Sequence, residues 1–325
     1  MEKIFSYTAV IRTLGKAGEK YQVLLDSLAN QSIQPQKILV YIAEGFEKPK
    51  ETIGREQYVY VRKGMVAQRA LPYYEVDTEY ILFLDDDVYL PEKSVEQMFQ
   101  YLFENNADII SPDVFHNSER SFLSKLAMSI SGRMIDRKDD GKWGYKVMSN
   151  SGYSYNSNPK PGVYLSQTNA GPCFLCSKDT FMNIHYEEEL WLDRLGYALG
   201  EDQVMFYKMY CKGFKQLTWF HSGIVHLDAG STLRNKEKEE SVIYADFRFK
   251  AIFWHRFIYL PEKSTIKRFW YVMTISYTLG FTILISLLKL RTDILRLKLK
   301  AIKEAVSFIK SEEYSYMPLI QKTKR

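Results

Sequence analysis

Three consecutive carboxylates, Asp85, Asp86 and Asp87, are the residues of this sequence most suited to chemistry. They follow an apolar run at residues 80–84, which predicts a strand buried on both faces. Ligands of open α/β sheets bind at the carboxyl ends of the strands, where these acids would lie. Because adjacent acids repel one another, the triplet favours a site shared with a divalent cation and diphosphate oxygens. The alternative is a solvated acidic turn.

A second acidic pair, Glu201 and Asp202, opens a predicted helix over residues 200–212. Two adjacent acids at the start of a helix could belong to a functional site. The alternative is N-capping, since acids in the first turn also stabilise a helix. Trp191, ten residues before Glu201, could stack on an acceptor ring or lie in the core.

The elements that must position these acids alternate between strands and helices. The pattern predicts a mainly parallel sheet with right-handed crossovers. The predicted strands cover residues 8–12, 37–42, 58–62, 80–84, 108–110, 217–220 and 224–227, with extended structure over 168–181. The predicted helices cover residues 19–30, 66–74, 95–102 and 200–212.

Residues 117–162 lose this periodicity and predict a long irregular substrate loop. Aromatic residues are spread along it, namely Trp143, Tyr145, Tyr153 and Tyr155.

The charge of the 325-residue chain is concentrated in one segment. The net charge is +5, and seven basic and two acidic residues lie within 289–310. This locality favours a membrane surface over nucleic acid as a partner. The three cysteines exclude a disulfide framework, and we expect Cys173 and Cys176 to pack in the core rather than bind zinc or act in redox chemistry. The first residues lead directly into a strand without a signal-peptide pattern, which predicts a cytosolic catalytic domain.

Residues 270–288 carry no charge, and as a helix they would extend ~28 Å, enough to cross a bilayer. Their Ser and Thr content and the basic flank at 289–310 argue against a simple crossing. Three alternatives stay open: monotopic attachment through about 265–310, a true span, or helices packed on the domain or a second subunit. A following amphipathic helix has one apolar face, formed by Leu290, Ile294, Leu297, Ala301, Ala305 and Phe308.

The order of motifs resembles the family-2 glycosyltransferases of the GT-A fold over about residues 5–230. The resemblance is carried by Gly64-Met-Val-Ala-Gln-Arg69-Ala, the Asp85–Asp87 triplet, Gly171-Pro-Cys-Phe-Leu, and Gly200-Glu201-Asp202.

The resemblance implies an α/β fold, with a GT-A-type mainly parallel sheet flanked by helices. The apolar and basic pattern after residue 260 adds a C-terminal helical appendage. Residues 1–260 would form the catalytic domain, with a nucleotide-binding half at about 1–115 and an acceptor half at about 116–260. Residues 261–325 would associate with a membrane or form oligomers.

The resemblance also implies roles for the acids. Asp87 would bind a divalent cation, Mn²⁺ or Mg²⁺, which stabilises a diphosphate leaving group. Asp85 would contact the ribose or base and could also ligate the metal, and Asp86 could replace either. Asp202 would be the base, and Glu201 would orient the acceptor or tune that base.

Four further positions follow from the resemblance. His226 would be a third metal ligand, or a buried structural histidine. Arg69 would bind the nucleotide or its phosphates, although Ala70 replaces the family's usual Asn. Glu44 would be a weak substitute for acids near the uracil. Gly171 would permit close approach of the donor sugar, or be an ordinary turn glycine.

Together these features predict an inverting, metal-dependent hexosyltransferase at the cytoplasmic face of a membrane. It would use a nucleotide sugar, a UDP-sugar above all, and a glycan or lipid-linked acceptor in cell-surface polysaccharide synthesis. Two alternatives are a haloacid-dehalogenase-like phosphatase using Asp85 and Asp87, and a non-catalytic protein that binds sugar nucleotides.

Overall fold

A mixed sheet forms the centre of the fold. The computed structural model describes residues 5–114, 122–131, 141–152, 159–195, 199–228, 236–320 and 322–323. Within these residues the main sheet has nine strands in the order β3-β2-β1-β4-β9-β6-β10-β8-β7. Its strands are β1 (Tyr7–Thr13), β2 (Lys37–Ala43), β3 (Glu56–Val61), β4 (Tyr80–Asp85), β6 (Ile109–Pro112), β7 (Trp143–Tyr145), β8 (Gly162–Ser166), β9 (Cys173–Ser177) and β10 (Gln216–Phe220).

A second, two-stranded sheet pairs β5 (Val88–Tyr89) with β11 (Val225–His226). Helices flank the main sheet and continue beyond it at the C-terminal end, as predicted for a GT-A-type domain. They are α1 (Glu19–Ala29), α2 (Ser94–Glu104), α3 (Phe122–Ile130), α4 (Lys178–Met182), a 3₁₀ segment (Tyr186–Leu195), α5 (Glu201–Cys211), α6 (Lys236–Phe253), a π-helical turn (Trp254–Tyr259), α7 (Thr265–Leu288), α8 (Thr292–Ile309) and α9 (Glu312–Ser315).

Strand β1 fixes the position of the site because it pairs in parallel with both β2 and β4. The chain therefore leaves β1 in one direction for β2 and returns on its other side for β4. The crevice between the carboxyl ends of β1 and β4 is the topological switch point, where α/β sheets bind ligands. Arg12 of β1 lies opposite Asp85 of β4 in this register.

Strand β9 runs antiparallel between β4 and β6. Its two cysteines are buried on opposite faces, Cys173 in one hydrophobic cluster and Cys176 in the other. Both thiols are free, and burial raises the pKa of each well above its usual value. The prediction that they pack in the core is confirmed.

Two predicted elements are wrong. Residues 66–74 form turns instead of a helix, because Leu71 precedes Pro72 and is disfavoured in the helical conformation. Only β9 is a strand within the predicted extended stretch 168–181, which continues as the short helix α4. The side chain of Ser177 caps that helix by accepting from the Thr180 N–H.

The predicted irregular loop is more regular than its composition indicates. It contains α3 and β7, and β8 begins at its last residue. Tyr145 is buried in β7, while Tyr153 and Tyr155 lie outside the described residues. The aromatic residues of the stretch thus belong partly to the sheet.

The C-terminal helices share a core with the rest of the chain. The apolar face of α8 packs on the domain, with Ile294, Ala301 and Ala305 buried. Trp191 is also buried, and its ring stacks on Phe308 with centroids 5.7 Å apart. Trp191 is therefore a core residue and does not line an acceptor site. Of the open alternatives, packing on the domain holds for α8.

Candidate active site

Arg12 is the first residue of the site, at the carboxyl end of β1. Its Nε and Nη2 donate to Asp85 Oδ1 and Oδ2 at 2.5 and 3.1 Å, a bidentate charge-assisted pair. Its Nη1 donates to Glu201 Oε1 at 2.9 Å. The sequence analysis missed Arg12, although its place at the end of a predicted strand was a usable signal.

Arg69 joins the tip of β4 to the start of α5. Its Nη1 donates to Glu201 Oε1 at 3.1 Å and to Asp202 Oδ1 at 3.0 Å. Its Nη2 donates to Asp85 Oδ1 at 3.3 Å and to the Gly171 carbonyl at 2.9 Å. The side chain is 2% exposed. One guanidinium therefore brings together the two acidic motifs that the sequence analysis singled out.

The turn that carries Arg69 is held by Asp193 of the 3₁₀ segment. Asp193 Oδ1 accepts from the Val66 N–H and Oδ2 from the Ala67 N–H, each at 2.9 Å. A Cβ on Gly64 would come within 2.2 Å of the Asp193 carboxylate, so the turn needs glycine there. The sequence analysis missed Asp193, because a bond between segments this far apart leaves no periodic signal.

Glu201 and Asp202 differ sharply in access to solvent. The Glu201 side chain is 3% exposed and accepts from both arginines and from the Tyr186 hydroxyl at 2.8 Å. The Asp202 side chain is 30% exposed. Glu201 is therefore placed to position the arginines, while Asp202 is open to a substrate.

The electrostatic environment separates the pKa values of the three acids. Burial raises the pKa of Asp202, the charge of Glu201 raises it further, and together they bring it to about 7. Burial also acts on Glu201 and Asp85, but the charges of Arg69 and Arg12 outweigh it and hold both pKa values below their usual range. A carboxylate with a pKa near neutrality suits general-base catalysis.

The other two acids of the triplet have separate partners. Asp86 accepts from the Thr13 hydroxyl, and burial with the charges of its neighbours raises its pKa to about 6. Asp87 Oδ1 lies 3.1 Å from His226 Nε2. The pairing of β11 with β5 brings this histidine to the triplet. Burial lowers the pKa of His226, but its contact with Asp87 more than offsets this and leaves the pKa raised.

Gly171 lies against Asp202. A Cβ added to Gly171 would come within 1.8 Å of Asp202 Oδ1 and 2.4 Å of its Cγ. The absence of a side chain at this position therefore lets the carboxylate reach its place beside Arg69. This contact gives Gly171 a physical role besides the predicted approach to the donor sugar.

A protein-family model matches the segment of the chain that carries part of this site. Residues 59–160 match the model of glycosyl transferase family 2. The family-2 resemblance is thereby confirmed. The matched segment contains Arg69 and the Asp85–Asp87 triplet, whereas Gly171, Asp202 and His226 lie beyond it.

The chain was also compared with solved structures and with curated proteins. The crystal structure of S. aureus TarS aligns with 85% of this chain and 43% of its own, with a TM-score of 0.45 and 12% identity. The chain therefore spans less than half of that structure. No curated protein matches the chain.

Two cavities adjoin the family-2 motifs. A cleft of about 450 Å³ lies over the tips of β1 and β4 and is lined by the triplet, His226, Lys16 and Lys63. The two lysines lie over the Phe46 ring, 4.8 and 4.9 Å from its centroid. We call this the tip cleft.

The second cavity, of about 240 Å³, lies on the other side of the site and is called the α5 cavity. Asp202 lines it together with Tyr145, Gln203, Asp246 and Phe249. Asp202 also accepts from Arg69, which in turn donates to Asp85 of the triplet. Among the described residues, Asp202 is therefore the acid that connects the α5 cavity to the triplet.

Glu44 lies apart from this cluster. It is exposed just after β2, whereas the triplet follows β4, on the far side of β1. It lies at the same edge of the sheet. The predicted residues that the structure brings into direct contact are Asp202, Arg69, Asp85 and Gly171.

Asp87 and His226 fit a small divalent ion. Adjacent ligands of an octahedral ion bound at about 2.0–2.1 Å lie roughly 3 Å apart, and these two side chains are 3.1 Å apart. No group of three such ligands is gathered anywhere in the described ranges. An ion of the Mg²⁺ class needs few protein ligands, because water and substrate phosphates complete its shell. Asp85, the third predicted ligand, is bonded to the two arginines instead.

Proposed function

We propose that this protein is a metal-assisted, inverting glycosyltransferase that uses a nucleotide-diphosphate sugar, with Asp202 as the general base. One observation carries the proposal: the carboxylate of Asp202 is accessible, has a pKa near 7, and is fixed by the same arginine that bonds Asp85 at the tip of β4. The match to glycosyl transferase family 2 over residues 59–160 supports the reaction class.

The donor would occupy the tip cleft. Its diphosphate would lie near Lys16 and Lys63, whose ammonium groups can bind phosphate oxygens. Asp87 and His226 would hold the divalent cation, Mn²⁺ or Mg²⁺, which supplies Lewis-acid stabilisation of the departing diphosphate. We propose a UDP-sugar carrying a hexose as the donor, on the strength of the family resemblance.

The acceptor hydroxyl would enter through the α5 cavity. Asp202 takes the hydroxyl proton as the oxygen attacks the anomeric carbon, the bond to the diphosphate breaks, and the electron pair leaves with the diphosphate. Glu201 and Asp85 are bonded to arginines and are poorly placed to act as a second nucleophile. A single displacement inverts the anomeric configuration.

The wider role remains a proposal from the same resemblance. We infer a glycan or lipid-linked acceptor and a place in cell-surface polysaccharide synthesis. The phosphatase alternative is less well supported, because Asp85, which would be its nucleophile, is bonded by both Arg12 and Arg69.

The test is to incubate the purified protein with a panel of UDP-, GDP- and dTDP-sugars and Mn²⁺ or Mg²⁺, and to measure the thermal shift and nucleoside diphosphate release. One donor should stabilise the protein, since a ligand that binds only the native state raises its Tm. Asp202→Asn should keep that shift but lower the rate of transfer about 10²–10⁴-fold. Asp26→Asn, at an exposed position of α1, is the matched control and should change neither.

Two outcomes would contradict the proposal. Undiminished transfer by Asp202→Asn would remove Asp202 from the role of base. Release of phosphate from a phosphomonoester without any nucleotide sugar would favour the phosphatase alternative.

A further inference from the structure

Helix α7 presents an apolar stripe to solvent. Apart from Val272, its exposed large apolar residues recur at intervals of three, four or seven positions and therefore lie on one face of the helix. They are Ile266, Phe269, Trp270, Met273, Tyr277, Leu284, Leu287 and Leu288. By length and composition it is also the one helix of the described residues that could cross a membrane.

The opposite face of α7 is polar and bonded to the protein. Thr278 Oγ1 accepts from Asn150 Nδ2 at 2.8 Å, and Ser286 Oγ accepts from Lys298 Nζ at 2.9 Å. Thr278 and Ser286, two of the residues that argued against a membrane span, therefore lie on the packing face of the helix. Crossing a bilayer would break these bonds and leave polar groups in hydrocarbon, so α7 is suited to lie along a surface.

Helix α3 extends the stripe. The Tyr277 hydroxyl donates to the Ile130 carbonyl at 2.6 Å, which holds the end of α3 against α7. On α3, Phe122, Leu123 and Leu126 are exposed, Phe122 by 76%. The two helices thus form one apolar surface, the α3–α7 surface, larger than the isolated apolar residues that soluble proteins commonly expose.

Basic residues flank both ends of this surface. Lys263 and Lys267 are exposed at the start of α7, and Lys289 and Arg291 are exposed just after its end. An apolar stripe between cationic ends is the pattern of a helix that lies in the interface of an anionic bilayer.

The same charges disfavour a second copy of the chain as the occupant. A twofold dimer through α7 would place the basic start of one helix against the basic end of its partner, or like ends together. Either arrangement brings cations close to cations, whereas anionic headgroups complement both ends. The exposed bases of α8, among them Arg296, Lys300 and Lys303, add to the positive charge nearby.

We propose that the α3–α7 surface docks on an anionic lipid bilayer, with α7 in the plane of the interface. The surface lies close to the α5 cavity: the turn anchored on α7 through Asn150 continues to Ser151, whose carbonyl accepts from Gln203 Nε2 at 2.8 Å. Gln203 lines the α5 cavity beside Asp202. Docking would therefore hold that cavity behind α7, one helix away from the membrane, and favour a lipid-linked acceptor, a consequence that rests on the proposed function.

The test is co-sedimentation of the full chain with vesicles of phosphatidylcholine alone or with phosphatidylglycerol added at three parts in ten. The wild type should bind the anionic vesicles and bind less at high salt. The double variant Trp270→Glu, Leu284→Glu should bind at least tenfold more weakly, and Phe122→Glu should also weaken binding. Tyr74→Glu, which alters an exposed aromatic residue outside the surface, is the matched control and should bind as the wild type does.

Three outcomes would overturn the inference: no binding of the wild type, equal binding of the double variant, or a wild-type dimer in sedimentation velocity that the double variant abolishes without any effect on lipid. Transfer to a water-soluble acceptor separates this inference from the proposed function. The double variant should keep that activity, so a loss of lipid binding alone leaves the catalytic proposal standing.

Discussion

The tip of β4 and the start of α5 each contribute a carboxylate to Arg69, yet the two carboxylates differ in pKa. Asp85 accepts from Arg12 as well as Arg69, and its pKa is lowered. Asp202 shares Arg69 with Glu201, and its pKa is raised to about 7. Charge balance around each acid, rather than residue type, therefore separates an acid that stays ionised from one that can exchange a proton at neutral pH.

The difference between Asp85 and Asp202 should be disturbed most strongly by a substitution at Gly171. Gly171→Ala places a methyl group where the Asp202 carboxylate lies, so the carboxylate must leave Arg69. We expect the rate of transfer to fall at least about 100-fold, as for loss of a general base, with donor binding retained. Gly141→Ala is the matched control, because a Cβ there meets nothing within 4 Å. Full activity of Gly171→Ala would show that the position of Asp202 is not required.

A smaller effect is expected at Asp193, which touches neither acid. Asp193→Asn can accept only one of the two N–H groups that the carboxylate holds, so the turn carrying Arg69 should loosen. We expect kcat to fall roughly tenfold. Because the charge of Arg69 lowers the pKa of Asp202, its displacement should also move the acidic limb of the pH–rate profile to higher pH.

Arg194→Ala provides the control for that change. It breaks an exposed ion pair with Glu313 on the same 3₁₀ segment and should leave the pH profile unchanged. A rate loss in Asp193→Asn without any movement of the acidic limb would mean that Asp193 only stabilises the fold.

The smallest expected effect concerns stability. The pKa of Asp202 is raised from 3.8 to about 7 on folding, so the folded state holds this proton more tightly and loses stability as pH rises between these values. Asp202→Asn removes this loss and should raise Tm by roughly 2 °C or more at pH 8. The gain should shrink as pH falls and disappear near pH 3, where the carboxyl is largely protonated in both states. A gain of equal size at both pH values would contradict the assigned pKa.

The sequence predicted the elements around the site whose apolar residues recur with a regular period. The apolar run before Asp85 and the stripe of α1 both fold as expected, because burial of one face dictates each pattern. The placement of Asp202 near the triplet was expected only from the resemblance. Tyr186 and Asp193 were missed because hydrogen bonds between distant segments leave no spacing to detect, whereas Arg12 was overlooked although it ends a predicted strand.

In the C-terminal region the sequence pattern identified an apolar helix face but left open what covers it. The apolar face of α8 was correctly recognised, but lipid, the domain and a second subunit stayed open as its partner, since amphipathicity is the same for a helix on lipid and a helix on protein. The structure places that face on α6 and leaves the exposed stripe to α7. The residue pattern identifies the apolar face of a helix, but it does not identify what packs against that face.

The 3₁₀ segment Tyr186–Leu195 has a practical consequence for dissecting this chain. Besides holding Glu201 and the turn of Arg69, it carries Glu189, which is fully buried and ion-paired with Arg256 of the π-helical turn and with Lys208 of α5. The ring of Trp191 on the same segment is covered by Phe308 of α8. An expression boundary at residue 260 would remove Phe308 and uncover that tryptophan, which lies on the segment that holds Glu201 and the turn of Arg69. Truncation to residues 1–260 should therefore be expected to disturb the proposed site rather than isolate it.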